Sequence, residues 1–375
     1  MHLSRRGFLA SASALAFARP LTAAEPRRPA RKQCFFGLHL DLHPNAEDTV
    51  LGRDVTEEML ARLLDSVRPD FVQYDSKGHP GYLGFPSKTG MSAPGIVQDS
   101  LALWRRATAA RGIALYNHFS GVLDGLAVKR HPEWARKGPD GRPDAQETSL
   151  FGPYERDLMI PELVEVATKY DLDGSWVDGD CWAVQPDYSE ASRRSFHALT
   201  GIETLPKAPG EPGWQAFLEQ QREAFRSYVR VYVEALHAAR PGYQITSNWM
   251  YSTFAPERPT LPLDYLSGDV ADKAALRMAR VQARYLTRCG LPWDLMSWGF
   301  ESDEHFARPS AKPPVALEQE AAVILAQGGG YQIYYVPSRA GYVDPLVVST
   351  AAEVARFCRA RQRWAHRSRS VPEAA

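Results

Sequence analysis

The chain has 375 residues, with 44 lysines and arginines against 44 aspartates and glutamates. That length accommodates one large α/β domain with a sizeable core. The even charge balance offers no basic surface to hold a phosphate backbone, so nucleic acid is excluded as an expected partner.

The first segment reads "MHLSRRGFLASASALAFARPLTAAEP", with Arg5 and Arg6 ahead of Phe8, Leu9 and a short apolar run. This pattern predicts a twin-arginine export leader over residues 1–24, a linker over 25–33, a folded body over 34–368 and a tail over 369–375. Removing the leader takes three arginines and no acid, leaving 41 basic against 44 acidic residues. The expected product is mildly acidic, periplasmic or secreted, and has no stable membrane anchor. Cys34, Cys181, Cys289 and Cys358 form no C-x-x-C pair, and neither a zinc cluster nor a disulfide is predicted from them.

From Cys34 onward, short apolar runs alternate with amphipathic stretches. "CFFGLHLDLHP" reads as a first strand, followed by a helix from Thr56 to Val67. "DFVQYDSKGHPG" and a helix from Asp99 to Arg111 come next, then "IALYNHFSG", a polar loop and a helix from Pro161 to Tyr170. "DGSWVDGDCW" is a fourth strand, and Trp214 to Ala239 the longest helix. "YQITSNWMY" and "DYLSGDV" follow with no obvious helix between them, then a helix from Lys273 to Arg288. "WDLMSWGF", "YQIYYVPSR" and a helix from Thr350 to His366 complete the series. Eight strands alternating with helices predict a single-domain α/β fold, a (β/α)8 TIM-type barrel. An open doubly wound sheet is the rival, but no G-x-G-x-x-G turn and no P-loop occurs.

A barrel gathers its chemistry at the C-terminal strand ends, and these ends are rich in acids, imidazoles and indoles. His39, Asp41 and His43 alternate on the first, and Gln73, Asp75, Lys77 and His79 on the second. Tyr116 and His118 lie on the third, Asn248 and Trp249 on the fifth, Asp269 on the sixth, and Asp294, Trp298 and Glu301 on or after the seventh. On the fourth, Trp176, Asp178, Asp180 and Trp182 occupy alternate positions, and an unbroken strand would put them on one face. Ionised carboxylates are costly to bury without partners, so that face is expected to serve a ligand. Aromatic rings cover the apolar faces of a sugar, while His, Asn and acids fix its hydroxyls. Cleaving a glycoside needs two carboxyls. The expected partner is a glycoside or oligosaccharide, with no cofactor and no metal.

Several pieces resemble, in order, the motifs of family 29 α-L-fucosidases. "KGHPGYLGFPSK" resembles their K-H-H-D-G-F...S-K segment, "GIALYNHFS" their G-L-Y-Y-S strand, "DGSWVDG" their L-L-W-F-D-G, and "DYLSGD" their D-Y-x-T-P-E. "SWGF" and "AQGGGYQIYYVPSRAG" are similar to S-W-G-Y and G-G-N-L-L-L-N-x-G-P. "HFSGVLD" and "HPEWA" also resemble hypothetical glycosyl hydrolases grouped near that family. The resemblance implies a retaining α-L-fucosidase-like glycoside hydrolase on a barrel, which the expected leader would make an exported one. Asp178 then matches the nucleophile, while His39 and His79 match histidines that hold the sugar. Gly78 stands where the first of the paired histidines would be, and Pro80 where the following Asp would be. Asp269 falls at the acid/base glutamate, one methylene shorter, with Asp180, Asp294 and Glu301 as substitutes. Asp41, Asp75, Lys77, His118, Asp180, Trp182, Asn248, Trp249 and Trp298 are expected to bind substrate.

Two other readings stay open at this point. "HLDLH" resembles the H-x-H of metal-dependent amidohydrolases, although no histidine occurs between Gly242 and Asp272 to complete such a site. A non-catalytic carbohydrate-binding relative is the other, favoured by the residues missing from "KGHPGY".

Overall fold

The computed structural model describes residues 27–271, 274–302 and 310–369; the expected leader, Lys273 and the tail beyond residue 369 lie outside them. Eight parallel strands form one sheet: Phe36–Leu40 (β1), Phe71–Lys77 (β2), Ala114–Ser120 (β3), Gly174–Asp178 (β4), Gln244–Ser247 (β5), Leu266–Val270 (β6), Trp293–Trp298 (β7) and Gly330–Tyr335 (β8). Their spatial order is β5-β4-β3-β2-β1-β8-β7-β6, the chain order wrapped into a ring with one seam. The fold is the expected (β/α)8 barrel. An open doubly wound sheet would reverse strand order partway, and this one does not.

The seam lies between β5 and β6, where no ladder forms. Trp249 N–H donates to the Ser267 carbonyl at 3.0 Å, and Asp264 N–H to that of Ile245 at 3.1 Å, so two bonds bridge it. It coincides with the missing fifth helix, since residues 248–265 cross in turns. No helix among the described residues is long and apolar enough to cross a membrane.

Helix starts follow their caps. Thr56 and Asp99, expected as first helical residues, are N-caps whose side chains accept from Met59 N–H and Ala102 N–H, so the helices run Glu57–Val67 and Ser100–Ala109. The helix expected at 161–170 spans Ile160–Lys169, and the one expected at 273–288 spans Ala275–Leu286. The last is capped by Asp344, runs Pro345–Arg359 and resumes as Gln362–Ala365. Helices at Gly125–Arg130, Glu190–Thr200 and Pro314–Leu325 were not anticipated. The third, "PVALEQEAAVIL", is apolar round much of its circumference, so its 3.6-residue stripe is faint in the sequence.

Alternation along each strand splits the apolar residues into two shells. Leu38, Val72, Leu115, Val177, Ile245, Leu295 and Ile333 pack outward against the helices. Phe71, Tyr116, Trp176, Tyr265 and Met296 fill the barrel. Arg31 closes its floor: the guanidinium lies 3.6 Å from the centre of the Phe71 ring, and Nε donates to Asp294 Oδ2 at 2.7 Å. The stretch expected to be a linker therefore ends inside the barrel, because a buried guanidinium needs both a carboxylate and aromatic faces around it.

Candidate active site

A cavity of about 510 Å³ opens at the C-terminal ends of the strands, lined by His39, Asp41, His43, His79, His118, Asp178, Asn248 and Asp269. Trp176, Trp182, Trp249, Phe254, Met296, Trp298 and Tyr334 supply its aromatic and apolar walls. A larger cavity of about 630 Å³ lies at the opposite end, but its one acid is Asp294, already bound to Arg31. Only the first combines several carboxyls with imidazoles and indoles.

Asp178 ends β4, and every bond it accepts comes from another strand end or the following turn. Asn248 Nδ2 donates to Oδ1 at 2.8 Å and Trp182 Nε1 to the same oxygen at 3.1 Å. His118 Nε2 lies 3.2 Å from Oδ2. Burial alone would raise this carboxyl, but the His118 bond and charge, with the Asn248 donor, hold it well below the usual carboxylate range. His118 is raised well above an ordinary imidazole: burial opposes its charge, and Asp41, Asp178 and Asp75 outweigh that.

Asp269 sits across from it on β6. Trp298 Nε1 donates to its Oδ2 at 3.1 Å, and Asn248 Nδ2 reaches its Oδ1 at 3.3 Å. Burial, then the charge of Asp178, push it up to about 6. One amide nitrogen thus touches both acids, so their Oδ1 atoms lie within about 6 Å of each other, the combined length of those two bonds. The environments separate their ionisation, which is the arrangement that assigns acid and base roles to a carboxyl pair.

His79 and His39 are both lowered to about 4 by burial and are neutral at physiological pH. His79 Nδ1 donates to Ser120 Oγ at 2.7 Å, a direction fixed because Ser120 Oγ itself donates to Leu123 O. Its Nε2 then points at Asp178 Oδ2, 3.5 Å away. Gly78 explains the histidine missing from the expected pair, because a Cβ there would fall 2.5 Å from His43 Cα and Cγ. His43 occupies that space and stacks on His118 with ring centres 5.3 Å apart. Its backbone pays strain for the position, with φ at 45°.

Four expected site residues are placed elsewhere. Asp294 starts β7 rather than ending it, opposite Gly330 in register, and binds Arg31, Ser267 and Gln332 on the barrel floor. Glu301 is exposed on a two-residue ribbon, Phe300–Glu301, and does not line the cavity. Lys77 lies past an irregularity in the β2–β3 register. That shift turns it to the outer face, where its Nζ binds Asp124 at 2.6 Å and Glu162 at 2.7 Å. Asp180 faces helix Trp214–Ala239, bonded to Tyr232 and Ser247, and burial pushes it up to about 8. The alternation that grouped it with Asp178 assumes an unbroken strand, but β4 stops at Asp178 and Gly179 turns the chain at φ 70°.

Asp75 does not line the cavity either. It sits behind His118, 3.0 Å from Nδ1, and accepts the backbone N–H of Leu42 at 3.1 Å. Trp182 is 42% exposed and approaches His79 edge-on. Among the lining residues not expected from the sequence are Tyr334, 4.9 Å from His39 between ring centres, and Phe254, against Trp249. Alternation along "YQIYY" marks Tyr334 as facing inward; Phe254 lies in an irregular loop and carries no such signal.

The sequence matches no protein-family model and no curated protein. Its fold is similar to solved structures. α-L-Fucosidase isoenzyme 2 from Paenibacillus thiaminolyticus superposes with a TM-score of 0.76 at 20% identity, over 88% of this chain and 50% of that one. An α-L-fucosidase from Vibrio sp. strain EJY3 gives 0.57 at 11% identity, over 91% and 56%. A family 29 α-L-fucosidase from Bacteroides thetaiotaomicron gives 0.55 at 16% identity, over 90% and 75%. The chain spans only about half the length of the first two. What these likenesses establish is the fold: a (β/α)8 barrel of the kind found in α-L-fucosidases.

Proposed function

We propose that the chain is a glycoside hydrolase of α-L-fucosidase type that cleaves with retention, Asp178 acting as nucleophile and Asp269 as acid/base. The observation that carries this reading is the Asn248 amide touching two carboxyls, one held ionised and the other raised into the working range. A separation within about 6 Å is below the roughly 6.5–9.5 Å that inversion needs for an intervening water.

In the first step an Asp178 oxygen bonds to the anomeric carbon while that carbon's bond to the leaving oxygen breaks, and the Asp269 proton passes to the leaving oxygen. In the second, Asp269 takes a proton from water, the water oxygen bonds to the anomeric carbon, and Asp178 departs as carboxylate. Trp182, Trp298 and Trp176 supply ring faces and edges for the sugar, and neutral His39 and His79 bond its hydroxyls. The purified protein should hydrolyse 4-nitrophenyl α-L-fucoside in preference to the corresponding β-D-galactoside and α-D-glucoside. Release of nitrophenol from none of the three, by protein shown to be folded, would return the chain to the class of carbohydrate-binding relatives.

A further inference from the structure

The cavity holds more imidazole than two carboxyls and a sugar require. One ligand atom from each of His39, Asp41 and His118, three buried residues, lies within 4.8 Å of the other two. Asp41 Oδ2 stands 3.7 Å from His39 Nε2 and 3.8 Å from His118 Nε2, too far for hydrogen bonds. His39 is 1% exposed, and its Nε2 has no hydrogen-bond partner among the described residues. His118 Nε2 also lies 3.2 Å from Asp178 Oδ2 and Asp41 Oδ2 lies 2.9 Å from His43 Nε2, so the unpartnered atom is His39 Nε2, and a buried polar atom aimed at a carboxylate oxygen it does not reach needs a physical reason.

Both rings are held from behind. Asp75 lies 3.0 Å from His118 Nδ1 and Gln73 Nε2 lies 2.6 Å from His39 Nδ1. A carboxylate behind an imidazole orients the ring and keeps the proton on Nδ1, so a metal ion that displaces the Nε2 proton of His118 meets a lone pair there. Gln73 serves the same tautomer once its amide is turned, since its Oε1 has no other partner and can accept from Nδ1–H. Around a tetrahedral ion with bonds of about 2.0–2.2 Å, ligand atoms sit about 3.3–3.6 Å apart. The two separations from Asp41 Oδ2, 3.7 and 3.8 Å, are close to that spacing. A second triple, His43, His79 and Asp178, is less suited, because the His43 side chain is 35% exposed and Asp178 is the carboxylate that the proposed cleavage uses.

We propose that His39, Asp41 and His118 form a binding site for a divalent transition-metal ion, zinc foremost, with its open coordination position turned into the cavity. Two imidazoles and a carboxylate are a donor set suited to zinc and poorly suited to magnesium or calcium. Three protein ligands leave a position for water or for a sugar hydroxyl, so that with the ion bound His39 reaches the sugar through it and not directly. The inference revises the expectation of a metal-free site, and it holds whichever glycoside is cleaved, or none. The fifth and sixth strands carry no histidine, and these donors come instead from the ends of the first and third strands, braced by the second.

The test titrates chelator-treated full-length protein with zinc chloride by calorimetry, with thermal unfolding as a second reading. One site per chain in the micromolar range or tighter is expected, together with a zinc-dependent rise in unfolding temperature. His39→Ala and His118→Ala should each weaken binding more than 100-fold, and Asp75→Asn by about 10- to 100-fold. His131→Ala should leave it unchanged, since that ring stacks on Trp134 and does not line the cavity. If His118→Ala does not fold, His39→Ala and Asp75→Asn carry the comparison. Wild-type protein that takes up no zinc below millimolar concentration overturns the proposal, as does binding by His39→Ala and Asp75→Asn equal to wild type. Either failure leaves the glycosidase reading intact, because nitrophenol release measures that separately.

Discussion

Asp178→Gly should lower hydrolysis of an activated aryl fucoside by several orders of magnitude, equivalent to about 5 kcal/mol or more of barrier. The variant keeps His39, His79 and Trp298, so the sugar still binds. What it loses is an ionised carboxyl held in place from three sides: Asn248 and Trp182 on Oδ1 and His118 on Oδ2. Glycine also leaves space for a small anion. Added azide or formate should restore part of the turnover, and azide should yield a glycosyl azide. The check is a rate comparison with and without anion. Hydrolysis within a few-fold of wild type, from a correctly folded variant, means that the attack comes from elsewhere.

Asp269→Asn should show the second largest effect, and pH reveals it. A general acid must carry its proton, and burial together with Asp178 places that of Asp269 at about 6. Wild-type kcat/KM should therefore be sustained below pH 6 and fall as pH rises through and above it. Asp178 adds no acidic limb in the accessible range, because it is held ionised. Asn cannot donate in this way, so the basic limb should disappear. The loss should reach about 10²- to 10⁴-fold for poor leaving groups and be much smaller for nitrophenol. A variant with an unchanged pH profile and full activity on a poor leaving group would place the acid on another residue.

The barrel is legible in the sequence because eight β-rich runs and their spacing are set by alternation and helix periodicity, which local residues dictate. The missing fifth helix is legible too, as an interval of turns; that it falls at the sheet's one seam is a matter of long-range pairing. Asp178 and Asp269 stand out at strand ends, whereas their coupling through Asn248 depends on the distance between β4, β5 and β6. Errors arise where a strand ends or shifts. Asp180 follows a left-handed Gly179, Lys77 follows a register irregularity, and Asp294 starts its strand instead of ending it. Each carries the right functional group and is turned away by backbone geometry that residue type does not encode. Gly78 shows the converse: it reads as a lost histidine, and His43 from a neighbouring loop fills the place.

The covalent intermediate is the most direct test of the account. A 2-deoxy-2-fluoro-L-fucosyl donor with an activated leaving group slows both steps, and the good leaving group lets the ester accumulate. Peptide mass spectrometry of the inactivated protein should find one fluorofucosyl residue per chain, on the peptide that contains Asp178. An adduct on a different carboxylate, or no adduct from protein that turns over the unfluorinated glycoside, would contradict it.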